Sequence, residues 1–297
     1  MRRWIRIKDN RFFGWMLLIV LALIWGSSFI LIKKGLQVYD PGEVAGIRIL
    51  AASIFLLPWA VANLKKVNKW NLKYLFFIGM AGSFMPAFLF AKAQTKIDSS
   101  LAGVLNAITP FFVLVIGAIF FGQLIYRRQS LGLTIGFLGT LVLVMAGSGG
   151  LVENINLYGL FVVLATFFYG INVNIIKFKL VGLRALTITS ISLLIVLPFA
   201  AAYLFGFTDF IYKLNHAEEA LFSLGVVVLL GVMGTAIALV LFNKLVQITT
   251  PIFTSSVTYL IPVVAVLWGF LDGEILLSAH YSGMAIIFVG VFITNRK

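Results

Sequence analysis

The sequence predicts an all-α polytopic membrane protein with ten transmembrane helices. We expect these to form two inverted five-helix repeats, with both termini on the cytoplasmic side. Composition, the length of the apolar runs and an internal repeat lead to this prediction. Hydrophobic residues make up 61% of the 297 residues and charged residues only 11%, with a mean hydropathy of +1.07. Soluble domains carry about 25% charged residues, so this chain is expected to lie in a bilayer.

The apolar runs are roughly 18–25 residues long, which is the length that an α-helix needs to cross about 30 Å of hydrocarbon. The candidate spans cover residues 14–34, 42–62, 73–93, 99–121, 130–147, 157–177, 184–206, 220–243, 252–271 and 279–294. The first run follows a basic segment and shows no small-residue cleavage site. We therefore expect it to remain as an uncleaved first span.

The second half of the chain repeats the first, with an offset of 144 residues near the start of each half and 152 residues further on. The matched pairs are Trp25 and Tyr169, Lys33 and Lys177, Gly79 and Gly231, Gly82 and Gly234, Lys92 and Lys244, and Pro110 and Pro262. Because each half holds an odd number of spans, the second half must enter the membrane from the opposite side. Inverted repeats of this kind are typical of secondary transporters that work by alternating access.

The repeat divides the chain into five parts, and the distribution of charge supports their orientation. The parts are a basic cytoplasmic N-terminus (1–13), a first repeat with spans one to five (14–147), an outer linker (148–156), a second repeat with spans six to ten (157–294) and a cytoplasmic C-terminus (295–297). This arrangement places 17 of the 23 lysines and arginines in cytoplasmic segments and five outside, in agreement with the positive-inside rule. The net charge of +13 is thereby spread over short loops, which fits anionic lipid headgroups and does not indicate nucleic-acid binding.

Arg48 is the candidate site residue with the clearest physical argument. It lies about six residues into span two, or roughly 9 Å below the outer surface at 1.5 Å per residue. A charge at that depth costs about 2.5 kcal/mol or more, so its side chain should face the bundle interior or water. We expect it either to bind a substrate carboxylate or phosphate or to pair with Glu43 or an acid on a neighbouring helix.

Matched lysines lie at the ends of four spans. Lys33 and Lys92 are expected at the outer ends of spans one and three, and Lys177 and Lys244 at the inner ends of spans six and eight. Their long side chains fit two interpretations. They either reach the headgroups, as basic residues at helix ends commonly do, or line both mouths of a central cavity. The second arrangement would favour anionic or zwitterionic cargo.

The remaining candidate cavity residues have aromatic or amide side chains, which either pack between helices or bind a polar substrate. They are Trp25 and Phe29 on span one, Tyr169 and Asn172 on span six, and Asn106, Asn243 and Tyr259 on spans four, eight and nine. Pro110 and Pro262 are the predicted hinges, because a proline within a span removes a backbone hydrogen bond.

The sequence lacks the residues that several other mechanisms require. It has no cysteine, its two histidines lie in or beside outer loops, and it has no GxxxxGK[ST] loop. We therefore expect no metal site, no cofactor and no ATP-driven step. No aspartate or glutamate lies in the middle third of any span, which favours facilitated movement or exchange over obligate proton coupling.

Several motifs occur in order along both halves. They are Trp25-Gly26-Ser27-Ser28-Phe29, Pro41-Gly42-Glu43 followed by Gly46-Ile47-Arg48, Asn106-Ala107-Ile108-Thr109-Pro110, and Tyr259-Leu260-Ile261-Pro262 with Gly273-Glu274. Taken together they resemble the drug/metabolite transporter superfamily, EamA type, over roughly residues 14–294. The chain departs from the family pattern at Gln123, where the family has glutamate, and at Arg48, whose repeat partner is Ser192.

The resemblance implies a ten-helix carrier, monomeric or homodimeric, in the cell inner (plasma) membrane. It further implies a central cavity that moves small metabolites such as amino acids or related zwitterionic or anionic compounds, often outward. A passive channel or a lipid scramblase is the alternative. A polytopic membrane enzyme has less support, because it would need histidine, aspartate, serine or cysteine side chains grouped at depth.

Overall fold

The computed structural model describes residues 2–97, 99–147, 157–271 and 278–295, and the regular elements within these ranges are helical. In the first half they are α1 (Arg2–Gly35), α2 (Pro41–Asn63), α3 (Lys69–Gly79), α4 (Met85–Ala93), α5 (Ser99–Asn106), α6 (Thr109–Phe121) and α7 (Arg127–Gly147). In the second half they are α8 (Gly159–Lys179), α9 (Ala185–Gly206), α10 (Phe210–His216), α11 (Ala220–Leu229), α12 (Ala238–Ile248), α13 (Pro251–Ser255), α14 (Val257–Leu271) and α15 (Ser278–Asn295).

Eight helical stretches of the described chain are long and apolar enough to cross a membrane. They are Phe12–Gly35, Pro41–Lys66, Lys69–Ala93, Ala102–Phe121, Gly159–Lys179, Ala185–Gly206, Ala220–Ile248 and Ser278–Asn295. The helical, polytopic class is therefore confirmed. Helix α7 and the shorter apolar stretch Pro251–Val264 coincide with the other two candidate spans, and the count of ten stays a prediction.

The apolar core lies between the helices, and a second set of apolar side chains covers the outside of the bundle. The largest buried cluster joins α1, α6, α8, α12 and α14, with Leu18, Leu21 and Val173 fully buried. On the outer surface, large apolar side chains such as Phe120 and Phe292 are 73% and 56% exposed. Such a surface is expected for helices that contact lipid tails on one face and protein on the other.

Two π-helical turns interrupt the third span and its repeat partner. The first, π1 (Met80–Phe84), joins α3 to α4, and the second, π2 (Leu230–Ile237), joins α11 to α12. An offset of 152 places π1 within π2. Pro86 removes a backbone donor just after π1, but no proline follows π2, so the feature common to both turns is their glycines. Turns of this kind are rare in proteins, and those that occur often lie at functional sites. The sequence analysis did not predict them.

The two halves pack against each other through glycines that have no room for a side chain. A β-carbon added at Gly26 would lie 2.6 Å from Val264, and one added at Gly170 would lie 2.7 Å from Phe112. The glycines are 144 residues apart and their partners are 152 residues apart, which are the offsets of the sequence repeat. The same contact therefore occurs twice with the roles of the halves exchanged.

The two spans that contain the predicted hinge prolines are each broken into two helices. The chain leaves α5 at Asn106 and starts α6 at Thr109, whose hydroxyl donates to the Asn106 carbonyl at 2.7 Å. Pro110 lies in the first turn of α6, whereas Pro262 lies inside α14, beyond the break at Ser256. The hinge role of both prolines stays a prediction.

An ionic latch ties the short helix α10 to the start of α2. The Lys213 ammonium lies 2.6 Å from an Asp40 carboxylate oxygen and 2.8 Å from one of Glu43, whose side chain is fully buried. Glu43 also accepts from the Asp40 backbone N–H at 2.7 Å, which completes a capping box. Partial burial disfavours the charged lysine, but the hydrogen bonds and charges of the two carboxylates outweigh it and raise the pKa of Lys213.

We expect Lys213→Gln to lower the free energy of unfolding by about 1–3 kcal/mol, because it leaves the buried Glu43 carboxylate without its cation. Since the pKa of Lys213 is raised in the folded protein, the latch stabilises the fold fully below the ordinary lysine pKa of about 10.4. This stabilisation is lost as pH rises through the raised pKa of Lys213. Thermal unfolding of purified protein in detergent at pH 7 and above pH ~10.4 checks both points. Lys96→Gln, at an exposed lysine, is the control.

Candidate functional site

A cavity of about 110 Å³ lies at the centre of the bundle, where both halves contribute to its wall. Its volume is enough for several water molecules or the polar end of a small solute. The lining comes from both π-helical turns and from the helices around them. It consists of Trp25, Ser28, Phe29, Ile32, Arg48, Ile49, Gly82, Ser83, Ala87, Phe90, Asn106, Thr109, Tyr169, Asn172, Val173, Gly234, Thr235, Leu239, Phe242, Ser255, Thr258 and Ile261.

Most of the lining residues are related in pairs by the offsets of the sequence repeat. At 144 residues the pairs are Trp25 and Tyr169, Ser28 and Asn172, and Phe29 and Val173; at 152 residues they are Gly82 and Gly234, Ser83 and Thr235, Ala87 and Leu239, Phe90 and Phe242, Asn106 and Thr258, and Thr109 and Ile261. Four lining residues break the pattern, because their repeat partners do not line the cavity: Ile32, Arg48, Ile49 and Ser255. The cavity is therefore nearly symmetric in shape and asymmetric in charge.

Arg48 reaches the cavity from α2 and is held by the second half of the chain. Its Nε donates to the Thr235 hydroxyl of π2 at 2.6 Å. Gly231 makes this approach of the two helices possible, since a β-carbon there would lie 2.6 Å from the Arg48 carbonyl oxygen. Within the described residues Arg48 forms no ion pair, and Glu43 is instead bonded to Lys213. The structure thus leaves the guanidinium charge without a protein counter-ion in this part of the chain.

Asn172 presents an unpartnered polar group to the same cavity. Its side chain is only 4% exposed, and its Oδ1 atom has no hydrogen-bond partner. The amide packs on π1, where a β-carbon at Gly82 would lie 2.5 Å from its Nδ2. Its repeat partner Ser28 packs in the same way on Gly234 of π2, at 2.8 Å. A buried acceptor oxygen with no partner has an unused hydrogen-bonding capacity that a donor on a ligand would satisfy.

Aromatic side chains form the apolar part of the wall. The Trp25 indole N–H donates to the Gly234 carbonyl at 2.9 Å, which fixes the ring against π2. Its ring lies 5.2 Å from that of Phe242, and on the opposite side Tyr169 stacks on Phe90 at 6.2 Å. These paired aromatic contacts give the cavity two apolar walls. Each wall combines one ring from the first half of the chain with one ring from the second.

Six of the twelve candidate residues lie elsewhere than in this cavity. Lys33, Lys92 and Lys244 are exposed at the protein surface. Asn243 is buried and donates to the Thr189 hydroxyl at 2.8 Å, and Tyr259 is fully buried and donates to the Leu133 carbonyl at 3.0 Å. These positions fit the headgroup and helix-packing interpretations of the sequence.

Lys177 caps a helix end. Its ammonium donates to the backbone carbonyls of Val246 at 3.1 Å and Gln247 at 3.3 Å, and to that of Thr249, around the end of α12. The last carbonyls of a helix have no partner within the helix, so a cation there stabilises the end of α12.

We expect Lys177→Met to lower the free energy of unfolding by about 1–3 kcal/mol, because the partly buried carbonyls at the end of α12 lose their donor. Lys244→Met, at an exposed lysine on α12 itself, should change the free energy of unfolding by less than about 0.5 kcal/mol. Thermal unfolding of both variants in detergent checks the difference. Equal effects would contradict a capping role.

Sequence reasoning missed most of the serine and threonine hydroxyls of the cavity, although the repeat held a signal for several of them. Thr258 is the repeat partner of Asn106, and Ser28 is that of Asn172. Ser83 and Thr235 lie on the π-helical turns, which shift the helical face, so periodicity alone does not place them. In the described residues no group of three or more histidine, aspartate or glutamate side chains converges on a metal-binding arrangement.

The chain belongs to the EamA-like transporter family, whose sequence pattern it matches over residues 12–145 and again over residues 156–296. Each match corresponds to one half of the bundle. A solved crystal structure covers 95% of this chain with 96% of its own length, at a TM-score of 0.73 and 15% identity, which shows a shared fold.

Relatives match over nearly the full length of the chain. A probable amino-acid metabolite efflux pump of Salmonella typhimurium is 26% identical over 93% of both chains. The uncharacterized inner membrane transporter YedA of Escherichia coli K12 is 26% identical over 94% of this chain and 90% of its own. An uncharacterized transporter of Archaeoglobus fulgidus is 27% identical over 95% of this chain and 99% of its own. The protein is thus a multi-pass membrane transporter of the drug/metabolite type.

Proposed function

We propose that this protein is a secondary carrier that moves small metabolites outward by alternating access around the central cavity. The cargo is an amino acid or a related zwitterionic or anionic compound. The observation that carries the proposal is the cavity itself, which is lined by both halves of an apolar helical bundle, mostly by residues related through the sequence repeat. Ligand sites near the midplane, at the interface of two repeats, are typical of such carriers.

The exchanged glycine contacts support an inverted ten-helix arrangement. Gly79 approaches the Ser192 carbonyl oxygen as Gly231 approaches that of Arg48, with distances of 2.5 and 2.6 Å to an added β-carbon. Each pair joins the third span of one half to the second span of the other. Two such halves related by rotation can exchange roles, so that a state open to one side converts into a state open to the other.

Relatives and charge support the cargo and the orientation. The name of the Salmonella typhimurium relative describes amino-acid metabolite efflux. The lysine and arginine asymmetry supports cytoplasmic N- and C-termini. The efflux name favours transport from the cytoplasm outward. We further propose that the protein acts as a monomer or a homodimer.

Counterflow in proteoliposomes tests the proposal. Vesicles are loaded with a panel of unlabelled amino acids and organic anions, and entry of the labelled counterpart is followed with and without a pH gradient. A carrier gives saturable entry that internal substrate accelerates. Flux that does not saturate would indicate a channel, and lipid transfer without solute flux would indicate a scramblase; either result would overturn the proposal.

A further inference from the structure

The charge of the cavity selects the charge of its ligand. Of the residues described in its wall, Arg48 is the one ionised side chain. Glu43, five residues earlier on α2, lies about 7.5 Å further along the helix axis and is bonded to Lys213. A guanidinium in a low-dielectric interior is costly without a counter-ion, so a ligand that supplies one negative charge is favoured.

The geometry of Arg48 selects a carboxylate. The Nε atom is used by Thr235, which fixes the plane of the guanidinium relative to π2. The two Nη groups form no hydrogen bond with the described protein. Their free edge presents two parallel N–H groups, which match the two oxygens of a carboxylate in a bidentate pair. A phosphate dianion would bring a second charge, for which the described wall offers no second cation.

Asn172 selects a second polar group on the ligand. Its Oδ1 atom is buried and unpartnered, and it belongs to α8 rather than to α2. An amide oxygen accepts from an ammonium, an amine or a hydroxyl group without adding charge. The described wall contains no acid, so a zwitterion placed here would keep its ammonium on neutral oxygens and aromatic faces.

We infer that the cavity binds a substrate with a single carboxylate, held by the free edge of Arg48, and a hydrogen-bond donor, held by Asn172 Oδ1. The apolar body of the substrate then contacts the aromatic walls. Because the one ionised side chain of the described wall, Arg48, lies on α2, the substrate binds in one orientation, with its carboxylate toward α2. This inference rests on the proposed function, since it takes the cavity to be the transport site.

Matched ligand pairs test the inference on the purified full-length protein in lipid nanodiscs. Binding of L-alanine, L-leucine and L-phenylalanine is measured by calorimetry against their amides, which lack the carboxylate, and phenyl phosphate serves as the dianion. At least one acid should bind at least about tenfold more tightly than its amide, and phenyl phosphate should bind more weakly than L-phenylalanine. The inference is overturned if the amides bind as well as the acids, if phenyl phosphate binds best, or if none of the three acids binds.

Two variants test the contacts proposed for Arg48 and Asn172 separately. In Arg48→Gln the preference for acid over amide should disappear, whereas in Arg184→Gln, at an exposed arginine, it should persist. In Asn172→Ala, 3-phenylpropionate, which lacks the amino group, should lose little affinity, and L-phenylalanine should lose about tenfold. Equal losses for both ligands would contradict a contact between Asn172 and the amino group.

The outcomes separate this inference from the proposed function. Binding that depends on the carboxylate and on Arg48, with no saturable counterflow, would support the inference and overturn the carrier proposal. Saturable counterflow of amides at the rate of acids would support the carrier and overturn the inference.

Discussion

Gly231→Leu should prevent the bundle from assembling. The glycine lies in π2 where the helix crosses α2, and even a β-carbon would lie 2.6 Å from the Arg48 carbonyl oxygen and 2.8 Å from Ala51 Cβ. A backbone oxygen cannot move aside without separating the two helices. We expect a loss of about 3 kcal/mol or more in the free energy of unfolding, seen as aggregation or a large fall in the melting temperature in detergent.

A control variant and a repeat-equivalent variant test whether the effect of Gly231→Leu comes from the close contact between the helices. Gly225→Leu lies on the same span, in α11, where nothing lies within 4 Å of an added β-carbon, and it should leave stability unchanged or slightly raised. Gly79→Leu, at the repeat-equivalent position, meets the Ser192 carbonyl oxygen at 2.5 Å and should behave like Gly231→Leu. Tolerance of Gly231→Leu, or a clear difference between Gly79→Leu and Gly231→Leu, would contradict the exchanged packing of the halves.

Arg48→Gln should lower the rate of counterflow about 100-fold while leaving the protein as stable as before or more stable. A bidentate pair with a substrate carboxylate contributes about 1.5–3 kcal/mol, and its loss lowers binding accordingly. The free protein, however, no longer holds an uncompensated charge in its interior, which removes an energetic cost. Opposite effects on transport and stability distinguish a substrate-binding residue from one that holds the fold together.

The measurements are initial counterflow rates in proteoliposomes and melting temperatures in detergent for the same preparations. Arg48→Lys keeps the charge but not the paired N–H groups, so it should retain part of the rate. Arg184→Gln should match the unchanged protein in both measurements. A fall in the melting temperature of Arg48→Gln that parallels its loss of transport would assign Arg48 a structural role instead.

Those cavity residues whose direction is determined by their depth in the membrane could be predicted from the sequence. Arg48 and Asn172 carry polar groups that are costly against lipid, so their inward direction could be predicted. Trp25 and Tyr169 were found because they are repeat partners at the same depth. For Lys177 the sequence predicted a position at the inner end of span six but not the contact that it makes there, because capping of α12 depends on a neighbouring helix end.

The sequence was least informative where the helical period changes. Phe90 and Phe242 line the cavity, and Lys92 and Lys244, two residues further on, are rotated by about 200° and exposed. Each pair follows a π-helical turn, whose extra residue shifts the face of the helix relative to the residues before it. Without a proline after π2, nothing in the sequence pattern signals that turn.

The π-helical turns also change which elements are expected to move. Pro110 and Pro262 were predicted as hinges because each removes a backbone hydrogen bond within a span and because they are repeat partners. The turns π1 and π2 are paired as well, and both lie in the cavity wall, with Gly82 and Gly234 in contact with Asn172 and Ser28. Substrate bound between the turns would therefore contact the segments where the backbone hydrogen-bond ladder is already interrupted.

Site-specific labelling tests alternating access around the cavity most directly. The sequence has no cysteine, so Ser83→Cys and Thr258→Cys each introduce a single thiol into the wall, one in each half. A membrane-impermeant thiol reagent is then applied to either side of oriented vesicles. The account predicts that both positions react from both sides and that substrate slows each reaction. Reaction of both thiols from one side only, whether or not substrate is present, would contradict it.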